Sequence, residues 1–496
     1  MYKLKTNTNP TLIVAKGIVF LLAFFQLFIP VFNHYNFRTF TFDYGVYNFA
    51  FYDYAHARLS DCPMSLVFNS HVNFLQDHFS LTLPILTPLF WIFQEKTGTY
   101  TLLILQWCFV IYGAWATFRL IVLKSQNIGF AYLALIYYFV MYGRYSSLQN
   151  DCNLAIIGAA MLPVFIYYFE AKKYVAAIVS FIFLVFNRED FSLCLVFVSL
   201  FLAYNHRIIK QERRIALFFS VFSLLSFIFI YQLVIPFIEG KDNNYKLFEY
   251  SILGDNPKEA IVFMLKHPIQ TFKYLFINHT SEPFSDYMKT GFYLVYGISG
   301  GLLLLWRPIY LLLLLPFIAK KMFNDYNNRW GYEMYYSIEV ATLLPLLVFS
   351  LISEVISIKR RMLVGTSILI LAIGVTLYCL SIAKYPNLYE KFNVLKPSYY
   401  KIDSGTAEAH YITQQIPNDA AVSASSRVLP HLAYRKLIYH FPDIRDAEYV
   451  CLMKNGDTYP ISQQKFDSTW KSLVVSGQWK INLSAINFIL LQRKPK

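Results

Sequence analysis

The sequence predicts an α-helical polytopic membrane protein: about eleven transmembrane helices, then a small C-terminal α/β domain outside the membrane. Three observations predict it. Apolar runs of about 20 residues recur along the chain, each long enough to cross roughly 30 Å of hydrocarbon. Of the 496 residues, 56% are hydrophobic and 15% charged, whereas a soluble domain is about 45–50% apolar and about 25% charged. After about Lys384 the pattern changes, and short apolar runs alternate with turn signals.

The elements follow in chain order. Lys3, Lys5 and Lys16 flank an apolar run that reaches about Phe32. A cleaved leader has a shorter core and a small-residue cleavage site, so this run is expected to be an uncleaved first helix. Further spans are expected roughly at 101–123, 127–143, 153–170, 174–187, 190–204, 214–237, 291–306, 308–320, 336–358 and 362–383. Several are short, and the pairs around Arg188 and Arg307 also suit re-entrant segments. Three basic loops set the orientation: "EAKKY" (Glu170 to Tyr174), "NHRIIKQERR" (Asn205 to Arg214) and "KRR" (Lys359 to Arg361). Placed in the cytoplasm, they put the N-terminus inside and the tail outside. The segment "HFSLTLPILTPLFWIF" (His78 to Phe93) contains Pro84 and Pro88. Counting it as a span would invert every basic loop after it, so it is expected to be a juxtamembrane helix on the outer face.

The formal charge is +14. In a soluble chain that would point to nucleic acid. Here much of the excess lies in short loops, so membrane orientation accounts for it; the bilayer is the expected partner and nucleic acid is not. The six cysteines are scattered and form no CxxC pair, which argues against a zinc or dithiol motif.

The orientation, set by Lys and Arg alone, gathers other polar residues on one side. Asp43, Asp77, His78 and Asp151 fall outside. So do Arg188, Glu189 and Asp190 of "NRED", and Arg329, Tyr332 and Glu333 of "NDYNNRWGYEMYY". Polar groups near membrane depth are costly and tend to be functional, although loops are polar for simpler reasons too. Lys320, Lys321 and Arg329 place positive charge outside, against the inside bias. An anionic lipid phosphate would explain them; so would headgroup anchoring by long side chains.

Two long outer loops are expected, at 33–100 and 238–290. The first carries an aromatic stripe in "YGVYNFAFYDYAHARL" (Tyr44 to Leu59), which suits an interfacial helix. The second contains "NPKEAIVFMLKHPIQTFKYLF", whose apolar spacing suits amphipathic helices. The transmembrane domain is thus expected over 1–383 and the small domain over 384–496. In the latter, "AAVSAS", "KLIYHF", "AEYVCLM" and "AINFILLQ" read as strands, with helices near Ser404 to Gln415 and Ser462 to Ser476.

Taken together, "FDYGVYNFAFYDYA", "DHFSLTLPILTPLFWIF" and "LLILQWCFVIYGAWATFRL" resemble a family of bacterial and archaeal membrane proteins. That family shows FDxG, a His-Phe-Ser-Pro segment and a Leu-Gln opening the next helix. "FNREDFSLCLVF" is similar to its Lys-Glu-Asp motif, with Arg188 at the Lys position. "GGLLLLWRPIYLLLLLP", "YYSIEVATLLP" and "IPNDAAVSASSRVLPHLAYRKLIYHFP" match later segments. The chain departs from the pattern at "QNDCNLA" (Gln149 to Ala155), where the family often has a His-Pro-Glu-like motif, and at Asn48 or Phe49 in place of a Gln.

The family resembles a branch of the GT-C glycosyltransferases. The resemblance implies a GT-C-like fold in a bacterial inner membrane and a polyprenyl-phosphate-linked sugar donor. It implies transfer on the outer face to an acceptor glycan, lipid or protein, and an essential Asp just past the first helix, where Asp43 stands. An inverting transfer needs mainly a base opposite a good leaving group, and Asp43 suits that role, with Gly45 relieving crowding beside it. An Asp there also suits a cap for the helix beginning near Tyr44. Asp77 and His78 would orient the acceptor, bind a divalent cation such as Mg or Mn with Asp43, or cap the Pro-containing helix. Arg188 would hold the donor phosphate, or pair with Glu189 or Asp190. Asp43, Asp77, His78 and Arg188 are expected to converge. A transporter or flippase would instead need a polar path near the bilayer midplane and usually repeated halves; the apolar runs carry few ionisable residues and no repeat is evident. A non-catalytic membrane scaffold with a binding tail is the third reading.

Overall fold

The computed structural model describes residues 10–62, 64, 73–239, 248–383, 394–454 and 456–495. They are mostly helical, with a small C-terminal sheet. The chain divides into two compact units. A helical unit comprises Met1–Gln26, Trp107–Leu148 and Leu154–Ile382; a sheet unit comprises Leu27–Gln106, Gln149–Asn153 and Ala383–Lys496.

In chain order the first helices are α1 (Pro10–Tyr35), α2 (Val46–Ala55), α3 (Phe74–Asp77), α4 (Thr82–Thr97), α5 (Thr101–Ser125) and α6 (Ile128–Val140). Then come α7 (Tyr142–Leu148), α8 (Leu154–Glu170), α9 (Tyr174–Val185), α10 (Phe191–Asn205), α11 (Lys210–Phe229) and α12 (Ile235–Glu239). Two amphipathic helices, α13 (Pro257–Lys266) and α14 (Pro268–Tyr274), occupy the second long loop, as its spacing predicts. They are followed by α15 (Met288–Ile298), α16 (Ile309–Met322), α17 (Ile338–Val355) and α18 (Ile358–Ile382). Among the described residues, five segments are long and apolar enough to cross a membrane: Pro10–Tyr35, Thr82–Ser125, Lys210–Ile238, Tyr335–Val355 and Ile358–Ile382. Shorter apolar helices, α6, α8, α9 and α10, stand at other expected spans.

Two ionic networks mark opposite ends of the helical unit. In one, Lys124 meets Glu170 (3.5 Å) and Glu354 (3.6 Å), Arg307 meets Glu354 (2.8 Å), and Glu212 takes both His206 and Lys172 (2.5 Å each). In the other, Arg188 forks onto Asp190 (2.7 and 2.6 Å), and Lys320 reaches Asp190 (2.8 Å) and Glu339 (2.6 Å). α10, α16 and α17 each have one end in each network, so the networks are separated by roughly the length of α17, about 27 Å at 1.5 Å per residue. Arg361 donates to the carbonyls of Ile356 and Ser353 at the Glu354 end. The three basic loops therefore share that end, as their charge pattern predicts.

The sheet unit is built on five strands: β1 (Val422–Ala424), β2 (Ile438–His440), β3 (Tyr449–Met453), β4 (Trp479–Ser484) and β5 (Phe488–Arg493). Their order is β2-β1-β3-β5-β4. β1 is parallel to β2 and β3, while β5 is antiparallel to β3 and β4. Period-two alternation makes both faces apolar. Val450, Leu452, Ile489 and Leu491 share one face with Phe466 and Trp479. Val422, Ala424, Cys451 and Leu490 face the other way. That second core takes Ile412 from the tail, and also Phe37, Phe49, Cys62 and Met64 from the first long loop. The tail's sheet thus buries one face beneath residues that precede it by more than 350 positions.

Candidate functional site

The opening motif sits on this sheet. Thr41–Gly45 forms a wide turn entering α2, with Phe42 extended and Asp43 at φ 60, ψ −79. These dihedrals lie in the rare γ-turn region, which costs an L residue of order 1–3 kcal/mol and persists only when the surroundings dictate it. The surroundings do so. The Gly45 N–H donates to the Phe40 carbonyl (3.1 Å), and the Val46 N–H reaches the carbonyls of Asp43 and Thr41. Thr41 Oγ1 donates to the Ser426 carbonyl (3.0 Å), Arg427 lies over the Phe40 ring (5.3 Å), and Phe42 meets Tyr459 edge-on (5.3 Å).

Ser425, Ser426 and Arg427 leave the carboxyl end of β1, between β2 on one side and β3 on the other. In open α/β sheets the crevice at such a reversal of strand order is where ligands bind. Here it receives the chain's own Asp43 turn.

One sequence expectation needs correction at this turn. Asp43 is the last non-helical residue before the helix that continues into α2. Gly45 has ordinary helical dihedrals, and a Cβ there would find no atom nearer than 3.7 Å. The unusual backbone belongs to Asp43, not to the glycine.

A second carboxylate shares the neighbourhood. Asp151 also has positive φ, at 60. Its short loop is gripped by Gln106, whose Nε2 donates to the Asp151 carbonyl (2.9 Å) and whose Oε1 accepts from the Asn153 N–H (2.9 Å). Burial pushes the Cys152 thiol up, and the carboxylates of Asp151 and Asp43 push it further. Two acids in unfavourable backbone conformations therefore bear on one buried group.

Behind them Tyr44 is fully buried and donates to the Thr99 carbonyl. Burial holds its phenol well above the usual range. His34 lies edge-on to Tyr44 (5.1 Å) and stacks on His431 (3.9 Å, 4°). Burial keeps His431 well below the ordinary imidazole range. Thr99, His431 and Tyr434 also line a cavity of about 610 Å³ with Tyr52, His56 and Trp91.

The profile of the predicted membrane protein family DUF2079 matches residues 33–489, nearly the whole chain. The chain belongs to the DUF2079 family. No curated protein matches it.

In this DUF2079 chain, "QDHF" ends α3 and leads to α4. α3 is capped by Asn73, whose Oδ1 accepts from the Leu75 N–H (3.0 Å) while Gln76 Oε1 accepts from the Asn73 N–H (3.1 Å). Ser80 Oγ accepts from the Thr82 N–H at the start of α4 (3.1 Å). Asp77 is the last residue of α3, and its side chain lies outside the described residues; His78 is extended. Among the described residues no three His, Cys, Asp or Glu groups gather as for a metal ion. The expected Asp43–Asp77–His78 combination includes a side chain outside that set.

The remaining expected site residues belong to the helical unit. Arg188 and Lys320 share Asp190, and Lys320 also holds Glu339; Glu189 is buried beside them. Lys321 is buried and donates to the carbonyls of Arg329 and Gly331, while Arg329 pairs with Glu249. These cations have internal partners and shape the loop before α17. Tyr332 in that loop meets Tyr142 edge-on (5.5 Å). Glu333 precedes Met334, whose φ of 61 and ψ of −173 fall in a region that is almost exclusively glycine's. Asp151 was legible only as one of several outer carboxylates. Its signal was its place in "QNDCNLA", where the family pattern carries another acid.

Proposed function

We propose that this chain is a membrane glycosyltransferase of GT-C type, moving a sugar from a polyprenyl-phosphate-linked donor to an acceptor hydroxyl on the extracytoplasmic face. The single observation that carries the reading is Asp43: a carboxylate in a costly backbone conformation, beside a second carboxylate at positive φ. Strain of that kind clusters where pre-organisation matters.

In the proposed step Asp43 takes the proton of the acceptor hydroxyl. The hydroxyl oxygen attacks the anomeric carbon, the bond from that carbon to the phosphate oxygen breaks, and the phosphate leaves with the electron pair. Configuration inverts. The cavity near Tyr44 gives the acceptor room. The reading places the N-terminus and the Glu354 end in the cytoplasm of a bacterial cell, and about eleven helices through its inner membrane.

The test is mass spectrometry of lipid-linked sugars that co-purify with the protein, then turnover of the donor so found by Asp43→Asn. The amide keeps the shape but takes no proton at neutral pH, so turnover falls about 10²–10⁴-fold with the fold retained. Wild-type turnover by Asp43→Asn would remove the base from the mechanism.

A further inference from the structure

Arg144 is buried in the helical unit, on the short helix α7, with 1% of its surface exposed. Its Nε donates to Gln26 Oε1 (3.1 Å) and its Nη1 to Thr342 Oγ1 (3.2 Å), and its guanidinium lies 4.3 Å from the Tyr138 ring. All three partners are neutral, and among the described residues no carboxylate pairs with it. The contrast with three other arginines is direct. Arg38 has Asp403, Arg188 has Asp190, and Arg435 donates to three backbone carbonyls.

A guanidinium cannot shed its proton to escape burial, and an isolated buried charge is expensive unless an opposite charge meets it. Gln26, Thr342 and the Tyr138 hydroxyl are its side-chain acceptors, fewer than its five N–H donors.

The place is specific. α6 begins near the Lys124 end, and α7 follows at its far end. Ser146 Oγ donates to the Met334 carbonyl (2.8 Å), in the strained loop that enters α17. Thr342 lies one turn beyond Glu339, so Arg144 lies about a turn inside the Arg188–Lys320 network. That network matches its own cations with carboxylates; Arg144 has none. The hydroxyl of Tyr142, on the same helix, is buried without a partner. Gly143 between them is pressed against α17, where a Cβ would come within 2.7 Å of the Ala341 Cβ. α7 is therefore held close while its arginine keeps unused donors.

We propose that Arg144 anchors an anion site, and that the anion is a phosphate group taken by the guanidinium fork, with Thr342 beside it. Phosphate fits because Arg presents paired N–H donors matched to two of its oxygens. The phosphate comes either from a lipid headgroup, in which case the site deepens the transferase reading and rests on it, or from free phosphate.

The test is binding to the purified full chain in detergent, with farnesyl phosphate, farnesol and inorganic phosphate as probes. Farnesyl phosphate binds wild type, and Arg144→Met weakens it about 10- to 100-fold. Farnesol binding does not depend on Arg144. Inorganic phosphate that binds equally well, and with the same dependence, identifies the free anion as the ligand; weak inorganic phosphate identifies the lipid headgroup. Without ligand, Arg144→Met melts at or above the wild-type midpoint, because a lone buried charge has been replaced by an apolar group of similar volume. If that variant does not fold, Arg144→Lys decides: it keeps the charge, loses the fork, and binds about tenfold less tightly. Binding of both phosphate probes unchanged by either substitution overturns the proposal, as does a wild type that binds neither. Asp43→Asn retains binding, so failure of the transferase reading and failure of this site remain distinguishable.

Discussion

The strain at Asp43 has a measurable size. Asp43→Ala keeps the Cβ that makes φ 60, ψ −79 unfavourable and removes the carboxylate. Asp43→Gly removes both. The two variants therefore differ only in the backbone. The positive-φ conformation costs a side chain about 1–3 kcal/mol, and the extra freedom of unfolded glycine takes back about 0.4–1 kcal/mol. The glycine variant should be the more stable by about 1 kcal/mol. The sheet unit has about 200 residues, for which 1 kcal/mol corresponds to roughly 2–4 °C. Scanning calorimetry or intrinsic fluorescence of the full chain in detergent measures the difference, and neither variant should transfer sugar. An alanine variant that melts at or above the glycine variant would show that the turn is relaxed, and the case for a pre-organised base would lose its main support.

Two further outcomes follow from the same unit. Arg38 forks onto Asp403 (2.9 and 2.6 Å) and donates to the carbonyls of Tyr399 and Lys401; Arg38→Ala should cost about 1–2 kcal/mol, chiefly by leaving the Tyr399 carbonyl without its donor, and an unchanged midpoint would contradict it. Burial holds the His440 imidazole down at about 4, so the native state refuses a proton that the unfolded chain accepts below about 6.5. Stability from this residue is intact above pH 6.5 and declines as pH falls towards 4, by at most about 3 kcal/mol. His440→Gln should flatten that slope in acid unfolding curves, and an identical slope would refute it.

Much of the fold was legible because periodicity reports which face of an element is apolar. The expected helical segments in the membrane region meet helices, and the four tail strands that were read recur as β1, β2, β3 and β5. β4 was missed for the same reason in reverse. It lies at the edge of the sheet, and Lys480, Ile481 and Asn482 are all exposed, so "WKINLS" shows no alternation. Periodicity also cannot name a partner. The apolar face of β1 and β3 announced a core, but not that Phe37, Phe49 and Met64 would supply it.

The site obeys a different logic, which explains what the sequence showed and withheld. Asp43 could be found because a position just past the first helix is a feature of one segment. Its significance could not, because the γ-turn dihedral is imposed by Ser426, Arg427 and Tyr459, nearly 400 residues later in the chain. Arg144 is the sharper case. In sequence it follows an apolar run, as a basic residue flanking a span does, and the same letters describe an anchor in the headgroups and a charge sealed in protein. Only its contacts separate the two, and they come from residues 118 positions before it and 198 after. A cation flanking a span needs no explanation beyond the bilayer. One enclosed by Gln26, Thr342 and Tyr138 lacks a counter-charge among the described residues, and that requirement turns a topological signal into a statement about a ligand.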